Sequence, residues 1–170
     1  MSHIQVEPVP FEQKSVLVQL LNLYNYDFTE YEDDYISEDG YYKNESYRHI
    51  ITDEYRNDDA RHSFFIRVNQ KLAGFILVHE YCRFLEKAHT IAEFFVMKSY
   101  RRKGVGKLAA KIVFDMFKGK WEVLQLTNNL PAQKFWEAVI SEYTETNYQK
   151  CDSEEWVGFI FETGEKNEAI

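Results

Sequence analysis

The residues best suited to chemistry lie in one short basic segment, residues 101–107, with the sequence RRKGVGK. A strand pattern precedes it and a strongly periodic helical pattern follows it, so the segment is predicted to begin a helix. The first backbone N–H groups of a helix lack partners within the helix and carry partial positive charge, so they bind anions. Gly104 and Gly106 leave room for a phosphate and permit positive φ angles. The segment is predicted to bind phosphate; a basic helix cap on a surface loop is the alternative.

Two common phosphate-binding loops fit this segment less well. A Walker A loop fails because positions 101 and 108 hold arginine and leucine instead of glycine and serine or threonine. The dinucleotide fingerprint is matched by Gly104-x-Gly106-x-x-Ala109, but it needs an acidic residue about 20 positions onward, where Asn128-Asn129 stands. A dinucleotide-binding oxidoreductase therefore remains an alternative. Binding of NAD by the protein would support it.

The elements that must position this loop alternate between strand and helix patterns. The predicted elements are a strand at 4–6, a helix at 11–28, a weaker helix at 44–56, a hairpin of strands 64–68 and 72–78 joined by a turn at 69–71, a strand at 90–97, a helix at 105–117, a strand at 121–127, a helix to about 141, and strands near 143–149 and 156–161. This order predicts one α/β (α+β) domain over residues 1–170.

The basic loop is one of two motifs that together resemble a known family. The first motif is Val96-x-x-x-Tyr100-Arg101-Arg102-Lys103-Gly104-Val105-Gly106, and the second is Asn129-x-x-Ala132-x-x-Phe135-Trp136. They are similar to the Arg/Gln-x-x-Gly-x-Gly/Ala loop and the later Asn-x-x-Ala-x-x-Phe-Tyr helix of the GNAT superfamily of acyl-CoA-dependent N-acetyltransferases. The resemblance implies a central, mostly antiparallel mixed sheet of about six or seven strands, splayed near Val96 and flanked by about four helices.

The resemblance also implies the cosubstrate, which is acetyl-CoA, with no metal. The basic loop would hold the pyrophosphate, backbone groups of the preceding strand would pair with the pantetheine arm, and the second motif would flank the other side. The implied cofactor-binding residues are Phe95, Val96, Arg101, Arg102, Lys103, Gly104, Val105, Gly106, Lys107, Asn129 and Trp136.

Acetyl transfer to a primary amine requires a base, because an alkylamine is neutral in only about one molecule in a few thousand at pH 7. Glu93 is the candidate general base. It lies in an otherwise apolar strand, where burial would raise the pKa of a carboxyl group. A solvent-facing or ion-paired Glu93 is the alternative, and a β-bulge would change the face that it occupies. His79, Glu80 and His89 are weaker substitutes.

The side chain that often protonates the leaving thiolate in the resembling family is absent from its usual position in this sequence. The family often has a tyrosine where this chain has Trp136, and an indole N–H cannot serve as that acid. Tyr143 is a weak candidate acid, and water is another, because a thiolate leaves readily. The departure also keeps open a non-catalytic acyl-CoA-binding or sensor module on the same fold.

The acceptor is predicted from an acidic segment, residues 27–39, which holds seven carboxylates and no basic residue. It lies between the first two predicted helices, which border the acceptor groove in the resembling family. A cationic small molecule or peptide amine would be attracted there. A solvated acidic loop is the alternative.

Composition narrows the class of protein and its surroundings. The chain has 170 residues and a net charge of −8, which disfavours a broad nucleic-acid or anionic-membrane surface. It has no apolar run long enough to cross a bilayer and no signal-peptide pattern at its start. Cys82 and Cys151 match no metal or CxxC spacing and are predicted to be free thiols. A cytoplasmic protein is expected, with its oligomeric state left open.

Overall fold

The computed structural model describes residues 3–42 and 57–164. These residues form one seven-stranded mixed sheet and three α-helices, with the strand order β1-β2-β3-β4-β5-β7-β6. The strands are β1 Ile4–Pro8, β2 Arg61–Val68, β3 Lys71–His79, β4 His89–Val96, β5 Gly119–Leu126, β6 Gln149–Asp152 and β7 Trp156–Thr163, and the α-helices are α1 Lys14–Phe28, α2 Val105–Met116 and α3 Leu130–Tyr143. The predicted fold class is confirmed. The weaker helix predicted at 44–56 lies outside the described residues.

One parallel strand pair breaks an otherwise antiparallel sheet. β4 and β5 run parallel and pair only at His89 with Trp121 and at Thr90 with Glu122. Every other neighbouring pair is antiparallel. Beyond Thr90 the two strands diverge, so backbone groups of β4 up to Val96 have no strand partner on that side. The predicted splay therefore begins after Thr90 and includes Val96.

The sheet separates two apolar cores, one on each face. α2 and α3 cover one face, where Val113, Phe114, Trp121 and Ile140 are fully buried. α1 covers the β2–β4 region of the other face through three leucines that pack on phenylalanines of the sheet. Because both faces of β3 and β4 are covered, these strands are nearly continuous apolar runs.

A β-bulge in β4 decides which face Glu93 occupies. Leu77 lies opposite Glu93, but the next residue of β3, Val78, lies opposite Ile91, so Ala92 is the extra residue. Ile91 packs into the core under α2 and α3, whereas Ala92 and Phe95 pack into the α1 core. Alternation from Phe95 puts Glu93 on the α1 side as well. Without the bulge Glu93 would share the face of Ile91.

Most predicted elements, including the hairpin, are found within a few residues of their expected bounds, but the strand predicted near 143–149 was wrong. The hairpin turn has two residues, Asn69 and Gln70, with φ of 49° and 68°, which suits a type I′ turn, and Lys71 already belongs to β3. The strand expected near 143–149 is instead the end of α3 and a turn in which Glu145 and Thr146 have positive φ. β6 begins only at residue 149. None of the three described α-helices has the length and apolar character to cross a bilayer.

Gly74 is expected to be required where β3 meets β4. A Cβ on Gly74 would lie 1.9 Å from the Phe95 carbonyl oxygen, and strand backbone cannot move aside cheaply. We expect Gly74→Ala to lower the free energy of unfolding by about 2 kcal/mol, measured by urea denaturation. Gly164→Ala is the matched control, because a Cβ there meets no atom within 4 Å. Equal stability of both variants would contradict this packing.

Candidate active site

A cleft of 690 Å³ opens where β4 and β5 diverge. Its walls come from the end of α1 and the residues after it, from β4, from the basic loop and the start of α2, from the end of β5, and from α3. The cleft thus brings together residues from both motifs, the first continuing from β4 and the second following β5. This gap within the sheet has unpaired strand backbone, a helix N-terminus and ionisable side chains in one cavity.

The basic loop enters α2 in the conformation that its glycine predicts. Gly104 caps the helix with φ of 78°, and Arg102 also has a positive φ, of 60°. The amide of Leu108 donates to the Gly104 carbonyl oxygen at 3.1 Å, which leaves the three earlier amides, those of residues 105–107, as the free helix N-terminus. The loop thus leads into a helix N-terminus whose amides have the arrangement that can bind an anion.

Gly106 has a different role from Gly104. It lies inside α2, and a Cβ on it would meet the ring of Phe135 at 3.3 Å and that of Phe94 at 3.5 Å. Of the two loop glycines that permit a positive φ, only Gly104 adopts one. Gly106 instead lets the first turn of α2 pack closely on two aromatic rings that border the cleft.

The cations of the loop are mostly paired within the protein. Arg101 donates from Nε to the Val96 carbonyl oxygen at 2.6 Å and from its terminal nitrogen to Asp27. Lys103 donates to the Ser99 carbonyl oxygen at 2.7 Å. Lys107 forms an ion pair with Glu142, which also binds Lys111. Arg102 lines the cleft and forms no ion pair with any described residue, so it is the loop cation most available to an anion.

Asp27, from the last turn of α1, joins that helix to the basic loop. Its carboxylate binds Lys98 at 3.1 Å and also pairs with Arg101, 74 positions away in the sequence. Burial would by itself raise the pKa of the Asp27 carboxyl group, but hydrogen bonds and charges from Arg101 and Lys98 outweigh it and hold this pKa below its ordinary value. Sequence reasoning missed this contact, because no local pattern points to it.

Replacing Asp27 tests this ion pair through the pH dependence of stability. Because the pKa is lowered in the folded state, the pair stabilises the protein above the ordinary value of 3.8 and is lost as the pH falls through the folded value. We expect Asp27→Asn to lower the free energy of unfolding by at most about 1 kcal/mol at pH 7, since its partners are exposed, and by progressively less as the pH falls below the ordinary value. The exposed Asp33→Asn is the control. A deficit that stays constant into strong acid would contradict the ion-pair account.

The β4 wall presents alternate backbone groups and one carboxylate. The Met97 amide donates to the Ala73 carbonyl oxygen of β3 at 2.8 Å, and the Phe95 carbonyl is also turned towards β3, against Gly74. Successive residues of a strand point their backbone N–H and C=O groups to opposite sides. The backbone groups of Phe94 and Val96 therefore face the cleft. Glu93 is half-buried and lines the same wall.

The opposite wall is the start of α3. Asn129 is 8% exposed, and its Oδ1 accepts the Ala132 amide at 3.1 Å, as the predicted helix cap requires. Trp136 is 5% exposed, and its ring centroid lies 5.0 Å from that of Phe94. The indole both lines the cleft and belongs to the core under α2 and α3.

The structure does not bring the other catalytic candidates to the cleft. Tyr143 lies at the far end of α3, where its hydroxyl donates to Asp115 at 2.8 Å and where burial and Asp115 raise its pKa. His79 accepts the amide of Tyr81, and its pKa is lowered by burial. His89 packs against two aromatic rings, and Glu80 lies 3.6 Å from its Nδ1. None of them is among the residues that line the cavity.

Part of the acidic segment does border the cleft. Of its seven carboxylates, Asp27, Glu30 and Glu32 line the cavity. Two residues that sequence reasoning missed lie there as well, Tyr31 and Gln125. Burial, followed by the charge of Glu30, raises the pKa of Tyr31. Among the described residues no three His, Cys, Asp or Glu side chains converge as ligands for a metal.

Solved structures share this architecture across nearly the whole chain. An acetyltransferase from Thermus thermophilus superposes with a TM-score of 0.68 at 13% identity, covering 94% of this chain and 97% of that one. The ribosomal-protein-S5-alanine acetyltransferase of Vibrio fischeri gives 0.66 at 13% identity, covering 97% and 98%. The PaiA N-acetyltransferase of Thermoplasma acidophilum, solved with coenzyme A, gives 0.56 at 12% identity, covering 95% and 99%.

The sequence itself also matches a family model. No curated protein sequence gives a significant match. The model of the acetyltransferase (GNAT) family matches residues 18–140, which include the end of α1, all of β4, the basic loop and nearly all of α3. The match covers well over half of the chain and contains both motifs and both walls of the cleft. The chain therefore belongs to the GNAT acetyltransferase family.

Proposed function

We propose that this protein transfers the acetyl group of acetyl-CoA to a primary amine. The observation that carries the proposal is the cleft itself, which has the free N-terminus of α2 at one side and the Glu93 carboxylate on its β4 wall. An anion site and a candidate base in one cavity suit a phosphate-bearing acyl donor and an amine that must lose a proton.

The described residues fit the cosubstrate. The amides of residues 105–107 and the Arg102 guanidinium would bind its diphosphate, and the cleft-facing backbone of Phe94 and Val96 would pair with the amides of its pantetheine arm. This assigns the backbone role to Phe94 instead of Phe95, whose carbonyl is turned to β3. Asn129 and Trp136 would border the other side. When bound, acetyl-CoA supplies an acyl group activated as a thioester.

Glu93 is the proposed general base. It would accept a proton from the acceptor ammonium, directly or through one water molecule, so that the neutral amine attacks the thioester carbonyl. A new C–N bond forms, the C–S bond breaks, and coenzyme A leaves as its thiolate. The bulge at Ala92 supports this role because it turns Glu93 to the α1 side of β4, and Glu93 lines the same cavity as Glu30 and Glu32.

Protonation of the departing thiolate is assigned to water. Trp136 occupies the position where the family often has tyrosine, and its indole cannot be the acid. Tyr143 is hydrogen-bonded to Asp115 away from the cleft. A thiolate with an ordinary pKa of about 8.5 leaves without a side-chain acid.

The acceptor is proposed to be a cationic amine, either a small molecule or the amine of a peptide. Glu30 and Glu32 line the cleft, and their carboxylates would attract an ammonium group. The other carboxylates of the acidic segment, including Asp33 and Asp34, do not line the cavity, so any effect that they have would be long-range and weakened by salt.

Turnover tests the proposal against a non-catalytic acyl-CoA sensor. The purified protein is incubated with acetyl-CoA and a panel of polyamines, amino acids and lysine-containing peptides, and thiol release is followed together with the mass of the product. Amine-dependent release with an acetylated product is the expected result. Tight binding of coenzyme A without release across the panel would favour the sensor, and stabilisation by NAD in preference to coenzyme A would overturn both.

A further inference from the structure

Gln125, one of the residues that line the cleft, has a side-chain hydrogen-bond acceptor without a partner among the described residues. It lies on β5 after the point of divergence, is 4% exposed and lines the cavity. Its Nε2 donates to the Val123 carbonyl oxygen at 3.1 Å. Its Oε1 is buried and has no hydrogen-bond partner among the described residues.

Such an acceptor is costly in the free protein, since buried polar atoms are almost always hydrogen-bonded. One other buried side-chain atom in the described residues has no hydrogen-bond partner, Nδ1 of His89, which has the Glu80 carboxylate at 3.6 Å and lies outside the cleft. The unsatisfied acceptor of Gln125 therefore belongs to a residue that lines the cavity proposed to bind ligand. A buried polar atom without a hydrogen bond at a binding site is explained when the ligand supplies the missing donor or acceptor.

The orientation of the amide fixes what that partner must be. The Val123 carbonyl can only accept, so the Gln125 NH₂ group must face it and the oxygen is left for another group. The missing partner is consequently a donor, an N–H or an O–H. The diphosphate, the thioester sulfur and the acetyl oxygen of the cosubstrate are acceptors, whereas the pantetheine arm carries two amide N–H groups.

We propose that Oε1 of Gln125 accepts a hydrogen bond from an amide N–H of the pantetheine arm. This rests on the proposed function, because it requires the thioester carrier to lie between β4 and β5. Gln125 then binds the arm from the β5 side by a side chain, opposite the backbone of Phe94 and Val96. No described residue satisfies the acceptor, and in this proposal the bound arm does.

The test compares Gln125→Leu with the wild-type protein on two ligands. Leucine approximates the volume of the side chain and removes the acceptor. Titration calorimetry is run with coenzyme A and with its phosphoadenosine diphosphate fragment, which lacks the arm. We expect the variant to bind coenzyme A about tenfold more weakly and the fragment equally well, as the loss of one buried hydrogen bond implies.

Controls separate binding from folding. Gln133 of α3 is the control residue: its Nε2 donates to the carbonyl oxygens of Leu126 and Thr127, and it does not line the cavity. Gln133→Leu should lower the melting temperature and leave coenzyme A affinity unchanged. Should Gln125→Leu not fold, Gln125→Met provides the same test with an unbranched side chain.

Two results would overturn the inference. One is coenzyme A affinity within twofold of the wild type in the Gln125 variant, which would leave an ordered water as the partner of Oε1. The other is an equal loss for coenzyme A and the fragment. A wild-type protein that binds neither ligand would instead overturn the proposed function on which the inference rests.

Discussion

Glu93→Gln is expected to lower kcat/KM for the amine by about 10²-fold or more at pH 7, the usual size of a lost general base. Glutamine keeps the shape of the side chain but cannot take a proton from the acceptor ammonium. The KM for acetyl-CoA should not change, because the proposed anion site lies in the basic loop and not at Glu93. Steady-state kinetics with both substrates varied measure the two effects separately.

The pH dependence makes this prediction specific to base catalysis. As the pH rises towards the amine pKa near 10.4, the neutral fraction grows about tenfold per pH unit, so the variant should recover relative to the wild type. Glu38→Gln is the control, since Glu38 is an exposed glutamate that does not line the cleft. A Glu93 variant with full activity at pH 7, or with a deficit that is constant up to about pH 10, would remove Glu93 from the mechanism.

The second large effect is expected at Gly104. Its φ of 78° is strained for any other residue and most strained for a β-branched one. We expect Gly104→Val to weaken coenzyme A binding at least about 100-fold, because the loop can no longer aim the first amides of α2, and to destabilise the fold by about 1–2 kcal/mol. Calorimetry and urea denaturation measure the two quantities.

Gly104→Asn separates backbone conformation from space, because asparagine tolerates the left-handed region far better than valine. A Cβ at this position meets no protein atom within 4 Å, so neither variant creates a clash inside the chain. If the asparagine variant keeps its affinity for coenzyme A, the loss in the valine variant is due to the backbone conformation. If both variants lose affinity, the cause is that a side chain occupies space that the ligand needs. Wild-type affinity in the valine variant would contradict the loop assignment.

Local sequence patterns predicted most of the fold because they depend on residues close together in the chain. The helical spacing of apolar residues after Gly106 predicted α2, and Asn129 predicted the cap of α3. The pattern failed at 143–149, where Tyr143 packs its ring against Phe114 and Phe161 and continues the helix. Tertiary packing there outweighed a local preference for strand.

The site was predicted less completely, because its decisive contacts are long-range. No local signal links Asp27 to Arg101, so an arginine expected to bind phosphate is paired with a carboxylate of α1. The bulge that sets the face of Glu93 appears only in the register of β3 with β4. Gln125 looks like an ordinary polar strand residue until burial leaves its oxygen without a partner.

A crystal structure with coenzyme A tests the central claim most directly. We expect diphosphate oxygens within about 2.7–3.2 Å of the backbone nitrogens of residues 105–107 at the start of α2, with the pantetheine arm between the diverging strands. Phosphates bound elsewhere, or an arm that lies outside the gap between β4 and β5, would contradict it.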